Sequence, residues 1–260
     1  MDPLDFVTNL AHHAAELLRE RFDDLHDVVE KKPHDLVTEA DRASEAAIVA
    51  AVRATFPAAA ILGEEGGVYA GTSDERFIVD PLDGTTNYAH RYPLFCVSIA
   101  YERAGVIEAA AIEAPLMGMR FAARRGGGAT LNGAPIRVSP TDSVRSGLIC
   151  TGFNPADYDR NGRYFAAMSR RAQGVRRDGS AALDLALVAA GRFDGFWEWD
   201  LKPWDVAAGA LLITEAGGAV TAIDGTPLDI AAGSIAASNG RIQAELCRAL
   251  QEITPAEQPS

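Results

Sequence analysis

The chain has 260 residues, 48% of them hydrophobic, which is enough to bury a sizeable core as one large domain or two halves. Its 36 acidic against 24 basic residues leave a net charge of −12 with no basic block, and this argues against nucleic acid as the main partner, since backbone binding relies on clustered Lys and Arg. No apolar stretch approaches the ~18 uninterrupted residues of a membrane span, and the three cysteines, Cys96, Cys150 and Cys247, are widely spaced among apolar residues, the pattern of reduced core thiols in a cytoplasmic protein.

Leu4, Val7, Leu10, Ala14, Leu17 and Leu18 recur at helical spacing and predict a first helix, with His12 and His13 on its exposed side. The Asp, Glu and His content of this segment sets it apart from a secretory leader. Thr38 with Asp41 forms a capping-box pattern for a second helix through Val52. From Ile61 to Val138 the pattern turns strand-rich, with strands expected at Phe77–Val79, Phe95–Tyr101, Val106–Ile112, Met119–Ala122 and Ile136–Val138. Gly126-Gly127-Gly128 reads as a turn between strands, and the absence of a following Lys-Ser/Thr argues against a nucleotide P-loop. Beyond Pro140 strands and helices alternate, with helices expected at Arg160–Arg171, Ala181–Ala190, Val206–Glu215 and Arg241–Glu252; the tail from Thr254 to Ser260 reads as frayed. The break near Pro140 divides a half 1–140 from a half 141–260 within one compact unit.

The chemistry concentrates in Asp80-Pro81-Leu82-Asp83-Gly84-Thr85-Thr86, just after the apolar run Phe77-Ile78-Val79. A hard cation such as Mg²⁺ takes oxygen ligands and keeps substrate and water in its remaining positions, so a few carboxylates suffice. Asp80 and Asp83 can supply them, Pro81 stiffens the chain between, and the Leu82 carbonyl is a neutral ligand. Gly84 lets the main chain approach an anion, with the N–H groups of Gly84, Thr85 and Thr86 available to a phosphate. The competing reading is an ordinary strand-to-helix turn built from the usual cap residues. Glu64, the first polar residue after the run ending at Gly63, is a second candidate ligand beside Glu65. Asp205, opening the apolar stretch to Ala216, is either a third or simply a helix N-cap.

Taken in this order and at these separations, Glu64-Glu65, Asp80 to Thr86 and Trp204 to Gly209 resemble the inositol monophosphatase family, within the Mg²⁺-dependent, lithium-sensitive phosphatases. Asp35 to Asp41 resembles the family's early Asp-x-Val-Thr-x-x-Asp element, with Lys31 at the place of its basic residue, and Arg177 to Leu185 and Gly195 to Glu198 resemble its bacterial branch. The resemblance runs from about Leu4 to Leu250. It implies an α/β protein built as a layered αβαβα sandwich, the fold shared with fructose-1,6-bisphosphatase, and a homodimer. It further implies one Mg²⁺ on Glu64, Asp80 and the Leu82 carbonyl, a second on Asp80, Asp83 and Asp205, and a weaker third near Glu64. A metal-activated water would then attack directly, oriented by Glu64, Thr85 and Asp41, while Gly84 and Thr85 hold the phosphate.

The substrate expected on this resemblance is a small phosphorylated polyol or sugar, first of all myo-inositol monophosphate. Glu198 stands where the family pattern has an acid that bonds sugar hydroxyls, together with Asp83, Asp205 and the Ala181 main chain; the bland reading is a surface carboxylate between Trp197 and Trp199. Thr86-Asn87-Tyr88 departs from the Lys-Glu-Phe that follows Asp-Pro-Leu-Asp-Gly-Thr in relatives acting on adenosine 3′,5′-bisphosphate. Histidinol-phosphate phosphatases tend to differ between Gly179 and Glu198, whereas Arg176, Arg177 or Arg192 could bind the second phosphate of fructose 1,6-bisphosphate. A non-catalytic interaction protein retaining the fold is the alternative of another class.

Overall fold

The computed structural model describes residues 1–24, 28–32, 35–153 and 158–253. The expectations for the tail from Thr254 to Ser260 and for the side chain of Lys31 lie outside the described residues.

Helix α1 (Pro3–Arg21), capped by the Asp2 side chain, buries Phe6, Val7, Leu10, Ala14 and Leu18 along one stripe. Its neighbour α2 (Glu39–Thr55) starts at the expected capping box. Thr38 Oγ1 accepts from the N–H of Ala40 at 3.1 Å and of Asp41 at 3.4 Å, and Asp41 Oδ2 accepts from the Thr38 N–H at 2.8 Å. Before it lies a hairpin the sequence reading passed over, β1 (Val28–Lys32) with β2 (Asp35–Thr38).

Helices α1 and α2 cover one face of an eight-stranded sheet made by β3 (Ala60–Gly63), β4 (Gly67–Tyr69), β5 (Glu75–Asp83), β6 (Cys96–Arg103), β7 (Val106–Ala114), β8 (Met119–Arg124), β9 (Gly128–Leu131) and β10 (Ala134–Pro135). The short helix α3 (Thr85–Ala89) follows β5. The strand order is β10-β9-β8-β7-β6-β5-β3-β4, with only β3 and β5 parallel. A second sheet, ordered β12-β11-β13-β15-β14, comprises β11 (Leu148–Thr151), β12 (Gly174–Arg176), β13 (Gly195–Trp199), β14 (Ala219–Thr221) and β15 (Ser234–Ser238).

Helices α5 (Ala181–Ala189) and α6 (Pro203–Glu215) are apolar nearly all round, so both must be buried on every side, and they fill the space between the sheets. They approach closely at Gly209, where an added Cβ would sit 2.5 Å from that of Leu185. Helices α4 (Tyr158–Arg171) and α7 (Gln243–Gln251) close the outer face of the second sheet over Ile149, Met168, Trp197 and Leu246. The layers therefore read helix, sheet, helix, sheet, helix, the αβαβα sandwich expected from the resemblance.

Several local expectations are corrected. Ile136–Val138 forms no strand; β10 ends at Pro135, the Ile136 N–H makes one last bond to the Ala129 carbonyl at 3.0 Å, and the Val138 N–H instead bonds the Ala216 carbonyl at the end of α6, 3.2 Å away. His12 does not face solvent freely, because its Nδ1 lies 3.0 Å from Glu113 on β7, beside Arg120; His13 is exposed, as expected. Asp205 is not the N-cap of α6. The helix begins two residues earlier at Pro203, and Asp205 Oδ2 accepts the Lys202 N–H at 2.7 Å. Cys96, Cys150 and Cys247 are all buried and unbridged.

Candidate active site

Successive strand residues point to opposite faces, so Asp80 and Asp83, three apart, would normally diverge. A bulge reverses this. Asp80 pairs with Ser98 and Asp83 with Cys96 on β6, so three steps on β5 match two on its partner, and both acids end on the same side of the sheet. Pro81, lacking an N–H, suits the bulge, and Ser44 from α2 secures it by donating to the Pro81 carbonyl at 2.9 Å. The parallel β3–β5 register, Gly63 beside Val79, brings Glu64 level with Asp80. The Trp204 carbonyl accepts from Ser98 Oγ at 3.3 Å, and Ser98 is the cross-strand partner of Asp80. Asp205 thus arrives over the same strand end.

Asp83 is anchored by Ser180 Oγ and the Ala182 N–H, both at 2.7 Å. Gly84 adopts φ +96°, and a Cβ there would lie 3.0 Å from the Leu94 carbonyl, so glycine is required on both counts. The Thr85 hydroxyl shares its proton between Asp41 Oδ1 at 3.0 Å and the Leu82 carbonyl at 3.1 Å. Asp41 is therefore both cap of α2 and neighbour of the strand end. The turn carrying Glu64 has a support the sequence reading missed: the buried Glu45 of α2 accepts from the N–H of Glu65 at 2.9 Å, the N–H of Gly66 at 2.6 Å and the Tyr69 hydroxyl at 3.1 Å. The signal was available, because Glu45 falls among Asp41, Ile48 and Val52 on the buried helical face.

Such crowding has an electrostatic consequence. Burial, then the charges of Glu64, Asp83 and Asp205, holds the Asp80 carboxyl well above the usual carboxylate range. Burial and Asp83 push Asp205 up to about 7, against the pull of the Lys202 N–H and charge. Burial also raises Asp83 and Asp41, although each accepts hydrogen bonds that favour its charged form. These acids cannot all ionise without a cation among them, and an all-oxygen donor set fits a hard divalent ion. Among the described residues no three of the His, Cys, Asp or Glu side chains are close enough together to hold a metal ion between them in this structure.

Next to the acids opens a cavity of about 160 Å³, lined by Asp83, Ala181, Asp184, Glu198, Asp205 and Arg177 among others. Glu198 is no surface carboxylate: it is 8% exposed, and its Oε2 has no partner among the described residues. A Cβ at Gly152 would sit 2.3 Å from that oxygen, so the glycine makes room for it. Of the three arginines considered for a second phosphate, only Arg177 reaches the cavity, and it donates to the Phe153 carbonyl at 2.8 Å. Arg176 turns back on the Val175 carbonyl, and Arg192 lies beyond the far end of α5, about 13 Å along the helix.

A carboxylate cluster that demands a cation, beside a small polar cavity in a five-layer sandwich, places the chain among the layered α/β phosphatases. The model of the inositol monophosphatase family matches residues 2–255, and the chain belongs to that family. It is 47% identical to an inositol-1-monophosphatase of Synechocystis over 83% of this chain and 77% of that protein. It is also 43% identical to the Nus factor SuhB of Pseudomonas aeruginosa over 97% of both chains. The solved inositol monophosphatase of Anabaena superposes with a TM-score of 0.87 at 44% identity, covering 97% of this chain and 96% of that one. Membership supports a metal-dependent phosphatase acting on a small phosphorylated substrate. Among the described residues no helix is long and apolar enough to cross a membrane.

Proposed function

We propose that the chain is a Mg²⁺-dependent phosphatase that hydrolyses myo-inositol monophosphate to inositol and phosphate. The observation that carries the substrate reading is Glu198, a buried residue that lines the cavity beside Asp83 and Asp205 and whose Oε2 has no partner among the described residues. An acceptor of this kind demands hydroxyl donors, and a buried polar group left unmatched by the wrong substrate gives strong discrimination.

Glu64, Asp80, Asp83, Asp205 and the Leu82 carbonyl would hold two Mg²⁺ ions, with a third nearer Glu64. When bound, the ions neutralise the phosphate and the developing charge of the leaving oxygen, which is the main demand of phosphate ester hydrolysis. The Gly84 and Thr85 N–H groups receive the phosphate. Glu64 and the Thr85 hydroxyl, backed by Asp41, orient the attacking water and take up its proton. The Ala181 main chain, Glu198, Asp83 and Asp205 receive the ring hydroxyls. Among the described residues that line the cavity no cation stands free to take another phosphate, since Arg177 is engaged with Phe153, and this favours a monophosphate over fructose 1,6-bisphosphate. Lithium inhibition, a homodimer and a cytoplasmic setting for the unbridged buried thiols belong to the same proposal.

The test is phosphate release from myo-inositol 1-phosphate, fructose 1,6-bisphosphate, histidinol phosphate and adenosine 3′,5′-bisphosphate side by side. Preference for the inositol ester, with inhibition by lithium, supports the proposal. Preference for another ester overturns the substrate, and no release from any of them would favour a binding protein that retains the fold.

A further inference from the structure

The nine residues of α5 read Ala-Ala-Leu-Asp-Leu-Ala-Leu-Val-Ala, and Asp184 is the single polar side chain among them. It is 1% exposed, and neither of its carboxylate oxygens has a partner among the described residues. A helix-start acid ordinarily accepts backbone N–H groups or stands in solvent; Asp184 does neither. An acid buried without a partner works against the fold, and such features persist where a ligand completes them.

Asp184 lies one helical turn after Ala181, on the same face, and lines the same cavity as Glu198. Two residues that line one small space, Asp184 and Glu198, therefore hold three buried carboxylate oxygens, Asp184 Oδ1 and Oδ2 and Glu198 Oε2, without partners among the described residues. Asp83 and Asp205 complete an acidic lining, with Arg177 as its cation. An anion would be repelled here, whereas a neutral group rich in O–H donors would satisfy the acceptors.

We infer that Asp184 is a specificity residue that accepts a ring hydroxyl of the substrate alongside Glu198. This rests on the reading of the site as a polyol-phosphate phosphatase and narrows it: the part of the substrate entering the cavity carries several hydroxyls and no second anionic group.

The experiment compares wild-type enzyme with Asp184→Asn and Asp184→Leu, measuring KM and kcat for myo-inositol 1-phosphate and 4-nitrophenyl phosphate, and the melting temperature of each protein. The leucine variant continues the apolar surroundings, so it tests the side chain without a new polar group. The expected result is a rise of about tenfold in KM for the inositol ester, from loss of one charge-assisted hydrogen bond. Values for the aryl ester should stay within about twofold, and melting temperatures should not fall. An unchanged ratio of the two substrates overturns the inference. So does a variant that melts lower or fails to fold, because Asp184 would then serve structure. Failure of the wild type on every polyol phosphate would instead defeat the functional reading itself.

Discussion

Removing divalent metal should make this protein's stability fall with rising pH, and Asp205 sets the size of the effect. Burial first, then the charge of Asp83, lifts its carboxyl from the ordinary 3.8 to about 7. The unfolded chain releases this proton near pH 4, while the folded chain retains it to about pH 7. Between those values the native state binds more protons, so its stability declines as pH rises and levels off above the folded value. At about 1.36 kcal/mol per pKa unit, the step from pH 5 to pH 8 removes about 2–3 kcal/mol through this group. For a chain of this length that corresponds to a drop of about 5–10 °C in melting temperature. On the proposed function Mg²⁺ binds the ionised acids, so the rise it produces should be larger at pH 8 than at pH 5. Scanning calorimetry with EDTA and with saturating Mg²⁺ at both pH values measures this directly. A metal-free melting temperature that is flat or climbs between pH 5 and 8, with an equal Mg²⁺ effect at both, would refute the reasoning.

Two side-chain changes test the surrounding architecture. Glu198→Gln should raise KM for myo-inositol 1-phosphate about tenfold, with a much smaller effect on 4-nitrophenyl phosphate, since only the former offers hydroxyls to the cavity; steady-state kinetics with equal effects on both esters would show that Glu198 does not read hydroxyls. Glu45→Gln presents an amide NH₂ to a turn whose Glu65 and Gly66 N–H groups can only donate. It should cost about 2 kcal/mol, a melting temperature lower by about 4–8 °C, and reduce kcat because the same turn carries Glu64. Unchanged melting and turnover would mean the turn holds without it.

The capping box of the second helix at Thr38 and Asp41 and the apolar stripe of the first helix were legible because local rules and tertiary packing agree there. The αβαβα architecture followed from a resemblance rather than from periodicity. The convergence of Asp80 with Asp83 was not legible from alternation, which sends residues three apart to opposite faces; only pairing with β6 reveals the bulge. Ile136–Val138 carries a strand-like pattern, but after Ile136 the chain leaves the sheet and Val138 bonds the end of α6, a tertiary choice that propensity does not report. Asp184 was not singled out in the sequence, and its partnerless burial beside Glu198 depends on how α5 lies between the sheets. Arg176 and Arg192 looked equivalent to Arg177 in the sequence, and only their placement separates them.

The central claim is that hydrolysis depends on a cation held at the Asp80 carboxylate. The most direct measurement is phosphate release from myo-inositol 1-phosphate across a Mg²⁺ titration, for wild-type protein and Asp80→Asn together, with circular dichroism to check the fold. The expected result is Mg²⁺-dependent turnover in the wild type and loss of turnover in the variant with its helix and sheet content intact, because the substitution keeps size and removes the charge that bridges the site. Near wild-type, Mg²⁺-dependent turnover by Asp80→Asn would contradict the account.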